Sequence, residues 1–108
     1  RRCASPAAAD QRACLAARLE EHDRELNAVY GQLVRGLRRR ARARAGVDPP
    51  DVRRLRVEQR AWITQRDIEC RRQGRGREGR LWATARAACL GEIADFRTAE
   101  LRERLRGL

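Results

Sequence analysis

Asp23, Asn27 and Tyr30 recur at steps of three or four residues, and so do Gln59, Trp62, Arg66 and Cys70 further along the chain. On helices, each set shares one face. One face then carries a carboxylate, an amide and a phenol; the other carries an amide, an indole, a guanidinium and a thiol. Buried polar groups are costly unless hydrogen-bonded, so a stripe that mixes them with apolar residues calls for specific partners. Facing residues of two antiparallel helices have residue numbers with a constant sum. Asp23 with Arg66, Asn27 with Trp62, and Tyr30 with Gln59 all obey one such register. The expected chemistry is an ion pair, an amide against an indole and a phenol against an amide, a structural network rather than a reacting centre.

The other reactive groups do not assemble into a catalyst. His22 is the single histidine. It lies on an apolar helical stripe with no second ligand or nucleophile beside it, and reads as a boundary residue with its polar edge in solvent. Glu20, Glu21 and Glu25 read as a solvated helix face, from which Asp23 is set apart by its Arg66 partner. The sequence has no Ser/His/Asp set, no Cys/His metal-ligand pattern and no glycine-rich phosphate loop after a strand. The expectation is a protein that is not an enzyme, with no cofactor, no metal and no small-molecule substrate.

Three helices must position these residues, over about 6–45, 51–72 and 80–106. Ser5-Pro6 reads as a cap followed by proline in the first turn. Leu15, Leu19, His22, Leu26, Val29 or Tyr30, Leu33 and Leu37 then mark a long amphipathic helix. An Arg/Ala run from Arg38 to Ala45 ends at Gly46, and Asp48-Pro49-Pro50 turns the chain. Val52, Leu55, Gln59, Trp62 or Ile63, Arg66 and Cys70 mark the second helix. Gly74, Gly76 and Gly79 make 73–79 a flexible loop. In the third helix Trp82, Ala85, Cys89, Ile93, Phe96 and Glu100 share one side, with Leu101 and Leu105 continuing the apolar cover. Both tryptophans read as core residues. Short connections between three helices predict an all-α, up-down-up three-helix bundle, a single domain over 1–108.

The 108 residues carry a formal charge of +11, and all 26 basic residues are arginine. Few large apolar residues and so much charge touch the compositional rule for disorder. Regular apolar spacing, helix-favouring Ala and Arg, and four cysteines argue the other way. Four cysteines in a short chain without a ligand pattern predict two disulfides, stapling the bundle in an oxidising compartment. Cys3, Cys14, Cys70 and Cys89 all fall toward one end. Axial height favours Cys14 with Cys70, leaving Cys3 with Cys89; the helical wheel favours Cys14 with Cys89. Either arrangement would tie the N-terminal half to the C-terminal half. No stretch is apolar enough to span a bilayer, and a lipid-anchor signal upstream of Arg1 would lie outside this sequence.

Taken together, Cys14, Leu26-Asn27-x-x-Tyr30, Gln59-x-x-Trp62-x-x-x-Arg66-Asp67-x-x-Cys70, Cys89 and Arg97-x-x-x-Leu101 resemble the LprI-type lysozyme-inhibitor family, in its N-terminal domain. The resemblance runs from about Cys3 to Leu105. It implies a secreted, periplasmic or lipid-anchored bacterial protein. Two positions depart from the family's habit: Glu78-Gly79-Arg80 stands where Gly-Gly-Ser is common, and Ala94 where Thr is common. The resemblance implies a protein partner, lysozyme, whose cleft holds paired carboxylates. Arg71, Arg72, Arg75, Arg77 and Arg80 in the loop region are the candidate contacts, through charge-assisted bonds. The alternative expectation is an envelope protein whose arginine clusters bind polyanions: anionic lipid, lipopolysaccharide or nucleic acid.

Overall fold

The computed structural model describes residues 2–76 and 79–108. It is an elongated bundle of 51 × 23 × 20 Å. Helix α1 spans Ala8–Arg40, α2 Pro50–Gly74 and α3 Ala83–Arg106, and the described residues form no strand. The core gathers Leu26, Val29, Leu33 and Leu37 of α1, Val52 and Leu55 of α2, and Ala94 and Leu101 of α3. Tyr30, Val34, Trp62 and Leu105 pack around it, half-buried. On α2 it is Trp62 that turns inward, while Ile63 is exposed.

Helix α1 stops five residues before the expected Ala45. The cause is Arg38, whose guanidinium donates to Arg44 O (2.8 Å), Val47 O (2.6 Å) and Asp48 Oδ1 (3.0 Å). These bonds satisfy carbonyls of the turn and stabilise it against further helix. Arg42 adopts the left-handed region there, with φ 53°.

Helix α3 buries a different face from the one its large residues mark. Ala83, Ala87, Leu90, Gly91, Ala94, Arg97, Thr98 and Leu101 are buried, whereas Ala85 and Glu100 are exposed and Phe96 is 74% exposed. Small residues win because they let α3 lie close against α1. At Gly91 the approach is tight enough that a Cβ would come within 2.5 Å of His22 Nδ1. His22 is itself exposed, with its ring across that glycine.

Both disulfides are present, and neither joins the two halves of the chain. Cys3 pairs with Cys14 and Cys70 with Cys89, with Cα separations of 5.1 and 5.7 Å. This corrects both expected pairings. The lead before α1 folds back along the first turns of the helix, which brings Cys3 beside Cys14 and leaves Cys70 to its neighbour across the α2–α3 connection.

Gln11 clamps that arrangement. Fully buried, it donates from Nε2 to Cys3 O (3.1 Å) and Ser5 O (2.8 Å), and its Oε1 accepts from Ala83 N–H (2.9 Å). One amide thus holds the lead in place and caps the start of α3, whose own N-cap residue, Trp82, supplies no side-chain bond. Gln11→Ala strands the buried Ala83 N–H and two part-buried carbonyls, so a loss of about 2–3 kcal/mol in urea unfolding is expected. Gln11→Glu, which cannot donate to the two carbonyls, is expected to lose a similar amount.

Candidate functional site

The α1–α2 interface carries the first polar constellation. Arg66 donates from Nη1 to Asp23 Oδ1 (2.8 Å) and from Nη2 to Asp23 Oδ2 (3.0 Å). The Arg66 side chain is 4% exposed and that of Asp23 16%. The guanidinium also lies over the Trp62 ring, 4.6 Å from its centroid. A bidentate fork stacked on an indole fixes both helices in register. Asn27, Tyr30 and Gln59 border one shallow groove of about 260 Å³ with Arg56, Arg60 and Ile63.

Gln59 has a partner the sequence did not reveal. Its Oε1 accepts from Arg97 Nε (2.9 Å) on α3. Arg97, 5% exposed, also donates to Glu58 Oε2 (2.8 Å) and Glu100 Oε1 (2.8 Å), and Arg104 reaches the same Glu58 oxygen (2.7 Å). Burial works to raise the Glu58 pKa, but the hydrogen bond from Arg97 and the charges of Arg104 and Arg97 outweigh it and hold the carboxyl below its ordinary value. At the α1–α2 turn, Asp48 accepts from Arg56 Nε (2.7 Å) as well as from Arg38. The Arg56 hydrogen bond is the main cause that keeps Asp48 below the usual carboxylate range, against a smaller opposing effect of burial. Tyr30 lies close enough to Arg56 to help stabilise its charge.

A carboxyl whose folded pKa is depressed binds its proton more weakly when folded, so the folded state is favoured wherever it is ionised. That stability is fully present above the unfolded range, about pH 4–5, and is lost as pH falls through the folded values. The urea midpoint is therefore expected to fall between about pH 5 and pH 2. Glu58→Gln is expected to flatten part of that slope; an unaltered slope would remove Glu58 from this role.

The second constellation lies at the far end of α2, around the loop to α3. Arg72 is committed to Glu69, with Nε to Oε1 at 3.1 Å and Nη2 to Oε2 at 2.5 Å, and Gln73 adds a bond to the same carboxylate. These bonds, Arg72 first, hold the exposed Glu69 carboxyl down to about 2. Arg71, Arg75 and Arg80 are exposed and make no ion pair with any described residue. Arg77 lies outside the described residues. Trp82, expected in the core, instead stands half-buried at the rim of a concavity of about 350 Å³, lined also by Gly74, Arg75, Gly76, Gly79 and Arg86. The Arg86 guanidinium lies 4.7 Å from its ring centroid. Gly76 and Gly79 take φ of +76° and +65°, values that side chains other than glycine's rarely allow. The Cys70–Cys89 bond ties the helices on either side of this loop.

Among the described residues no group of His, Cys, Asp and Glu could hold a metal, and no helix is long and apolar enough to cross a membrane. The chain matches the family model described as "Lysozyme inhibitor LprI" over residues 3–101. No curated protein and no solved structure matches it.

Proposed function

The chain belongs to the LprI lysozyme-inhibitor family, and we propose that it acts outside the cytoplasm, secreted or periplasmic, as a binding protein that inhibits lysozyme through its 71–80 loop. The observation that carries this reading is the state of the loop's cations. Arg75 and Arg80 are exposed, without an ion pair among the described residues, beside a half-buried tryptophan on a disulfide-braced end of the bundle. An arginine that has no internal carboxylate is available to a carboxylate of a partner. The paired acids of a glycosidase cleft are such a target, and a charge-assisted, water-excluded bond there blocks substrate. Trp82 offers apolar area at the same rim, and aromatic residues with arginine are the usual anchors of protein interfaces.

The charge of the whole chain works against association. At +11 it repels a basic lysozyme at long range, so the encounter is slow at low salt and eased by screening, while the short contacts inside the cleft persist. The test is turnover of a peptidoglycan substrate by an animal-type lysozyme with increasing amounts of the protein, across salt concentrations. Inhibition is expected, reduced at least tenfold in Arg75→Ala/Arg80→Ala, since a charged hydrogen-bonded contact in an interface is worth about 2 kcal/mol or more. Absence of inhibition at both low and physiological salt would overturn the reading.

A further inference from the structure

The arginines of this chain are not spread in proportion to its acids. Residues 35–48 contain six arginines and one acid, Asp48. Asp48 is already shared by Arg38 and Arg56. Arg35, Arg39, Arg40, Arg42 and Arg44 form no ion pair with any described residue. Three of them, Arg35, Arg39 and Arg42, surround a shallow concavity of about 300 Å³ together with Arg38 and Ala43. Complementing the helix dipole accounts for a cation or two in the last turn of α1, not for this density. Arg42 moreover sits in the left-handed region, a conformation that costs a non-glycine residue free energy and tends to persist where a functional arrangement requires it.

We propose that this end of the bundle is a surface site for the phosphate groups of anionic lipid headgroups. Guanidinium forks match phosphate oxygens in a bidentate way, and several uncompensated cations on one face suit a field of headgroups rather than one small anion. No aromatic side chain lines the concavity, so the bases of a single-stranded nucleic acid would find no ring to stack on. Val47, in the turn that Arg38 organises, is 49% exposed and supplies an apolar group to lodge among the headgroups. The geometry also separates the two binding ends. The cluster lies where α1 ends and α2 begins, whereas residues 71–80, the last turn of α2 and the start of its connection to α3, lie at the far end of α2 along a 51 Å body. A membrane held at the cluster leaves the loop facing away from it.

The probe is cosedimentation with vesicles of equal parts phosphatidylglycerol and phosphatidylcholine, against vesicles of phosphatidylcholine alone, at physiological salt. Each basic residue near an anionic surface contributes about fivefold in binding. Arg35→Gln/Arg39→Gln/Arg42→Gln is therefore expected to lower partitioning about a hundredfold. Arg12→Gln/Arg18→Gln/Arg24→Gln removes the same charge from exposed positions in the first half of α1 and is expected to lower it less than about fivefold. Arg35→Lys/Arg39→Lys/Arg42→Lys, which keeps the charge and tests the site should the glutamine variant fold poorly, is expected to hold binding within a few-fold. The proposal is overturned if the wild type prefers neither vesicle, if the two glutamine variants lose binding equally, or if the lysine variant loses as much as its glutamine counterpart. Displacement by millimolar glycerol phosphate would assign a single-phosphate site instead. Displacement by an oligonucleotide at equal phosphate concentration would assign the cluster to nucleic acid. Either result overturns the lipid assignment.

Discussion

Reduction of both disulfides is expected to leave the chain largely unfolded at room temperature. Cys3–Cys14 and Cys70–Cys89 close loops with sequence separations of 11 and 19. In the chain-entropy account each such loop is worth about 3 kcal/mol. Small domains have only about 5–15 kcal/mol in hand. The core here is thin: eight buried residues form the main cluster, and its α3 contribution is one alanine and one leucine. A far-UV circular dichroism melt with reductant should fall by more than about 20 °C relative to the oxidised protein. The two bonds separate by mutation. Cys70→Ser/Cys89→Ser should cost more than Cys3→Ser/Cys14→Ser, because it closes the longer loop and joins two helices rather than a helix and its lead. A melt indifferent to reductant would contradict the role given to both bonds.

Arg66→Ala is expected to cost about 3 kcal/mol, against less than about 0.5 kcal/mol for Arg54→Ala. Arg54 sits on the surface in an i,i+3 pair with Asp51, its side chain 71% exposed. Arg66 is nearly enclosed, and removing it leaves the Asp23 carboxylate in a site 16% open to water with neither of its two bonds. The Trp62 ring loses its stacked cation at the same time. Asp23→Asn/Arg66→Gln, which leaves no stranded charge, should recover part of the loss. Urea unfolding of the four proteins measures this directly. Equal losses for Arg66→Ala and Arg54→Ala would show the buried pair to be no more than a surface contact.

The parts of the fold that were readable from the chain are those in which local pattern and chemistry coincide. Leu26, Leu33 and Leu37 sit at helical steps against polar neighbours, and the stripe they mark is the buried one. The Asp23 and Arg66 types were legible because a carboxylate and a guanidinium on facing apolar stripes have few other uses. Helix α3 was not legible in the same way. Alanine is as frequent on its outer as on its inner face, so the large residues Trp82 and Phe96 dominated the pattern and pointed to the wrong side. Close approach to α1 selects small side chains, and a stripe of alanine and glycine carries little hydrophobic contrast.

The disulfide pairing was hidden for another reason. It depends on the lead folding back, and that depends on Gln11, a single amide in an alanine-rich turn with no sequence mark of its three bonds. Arg97 was visible as a family-like position, yet its partners Gln59, Glu58 and Glu100 come together only once α2 and α3 are packed. The early end of α1 is similar, since Arg38 stops the helix by bonding to residues six to ten positions ahead of it. In each case the deciding interaction is a long polar side chain reaching backbone or acid across a distance that helical periodicity does not encode.

Hydrogen–deuterium exchange of the protein with and without lysozyme tests the central claim most directly. Binding through the loop predicts slowed exchange at 71–76 and 79–86, where Arg75, Arg80, Trp82 and Arg86 stand, with the cluster at 35–44 unchanged. Protection confined to 35–44, or no protection anywhere at concentrations that inhibit the enzyme, would contradict it.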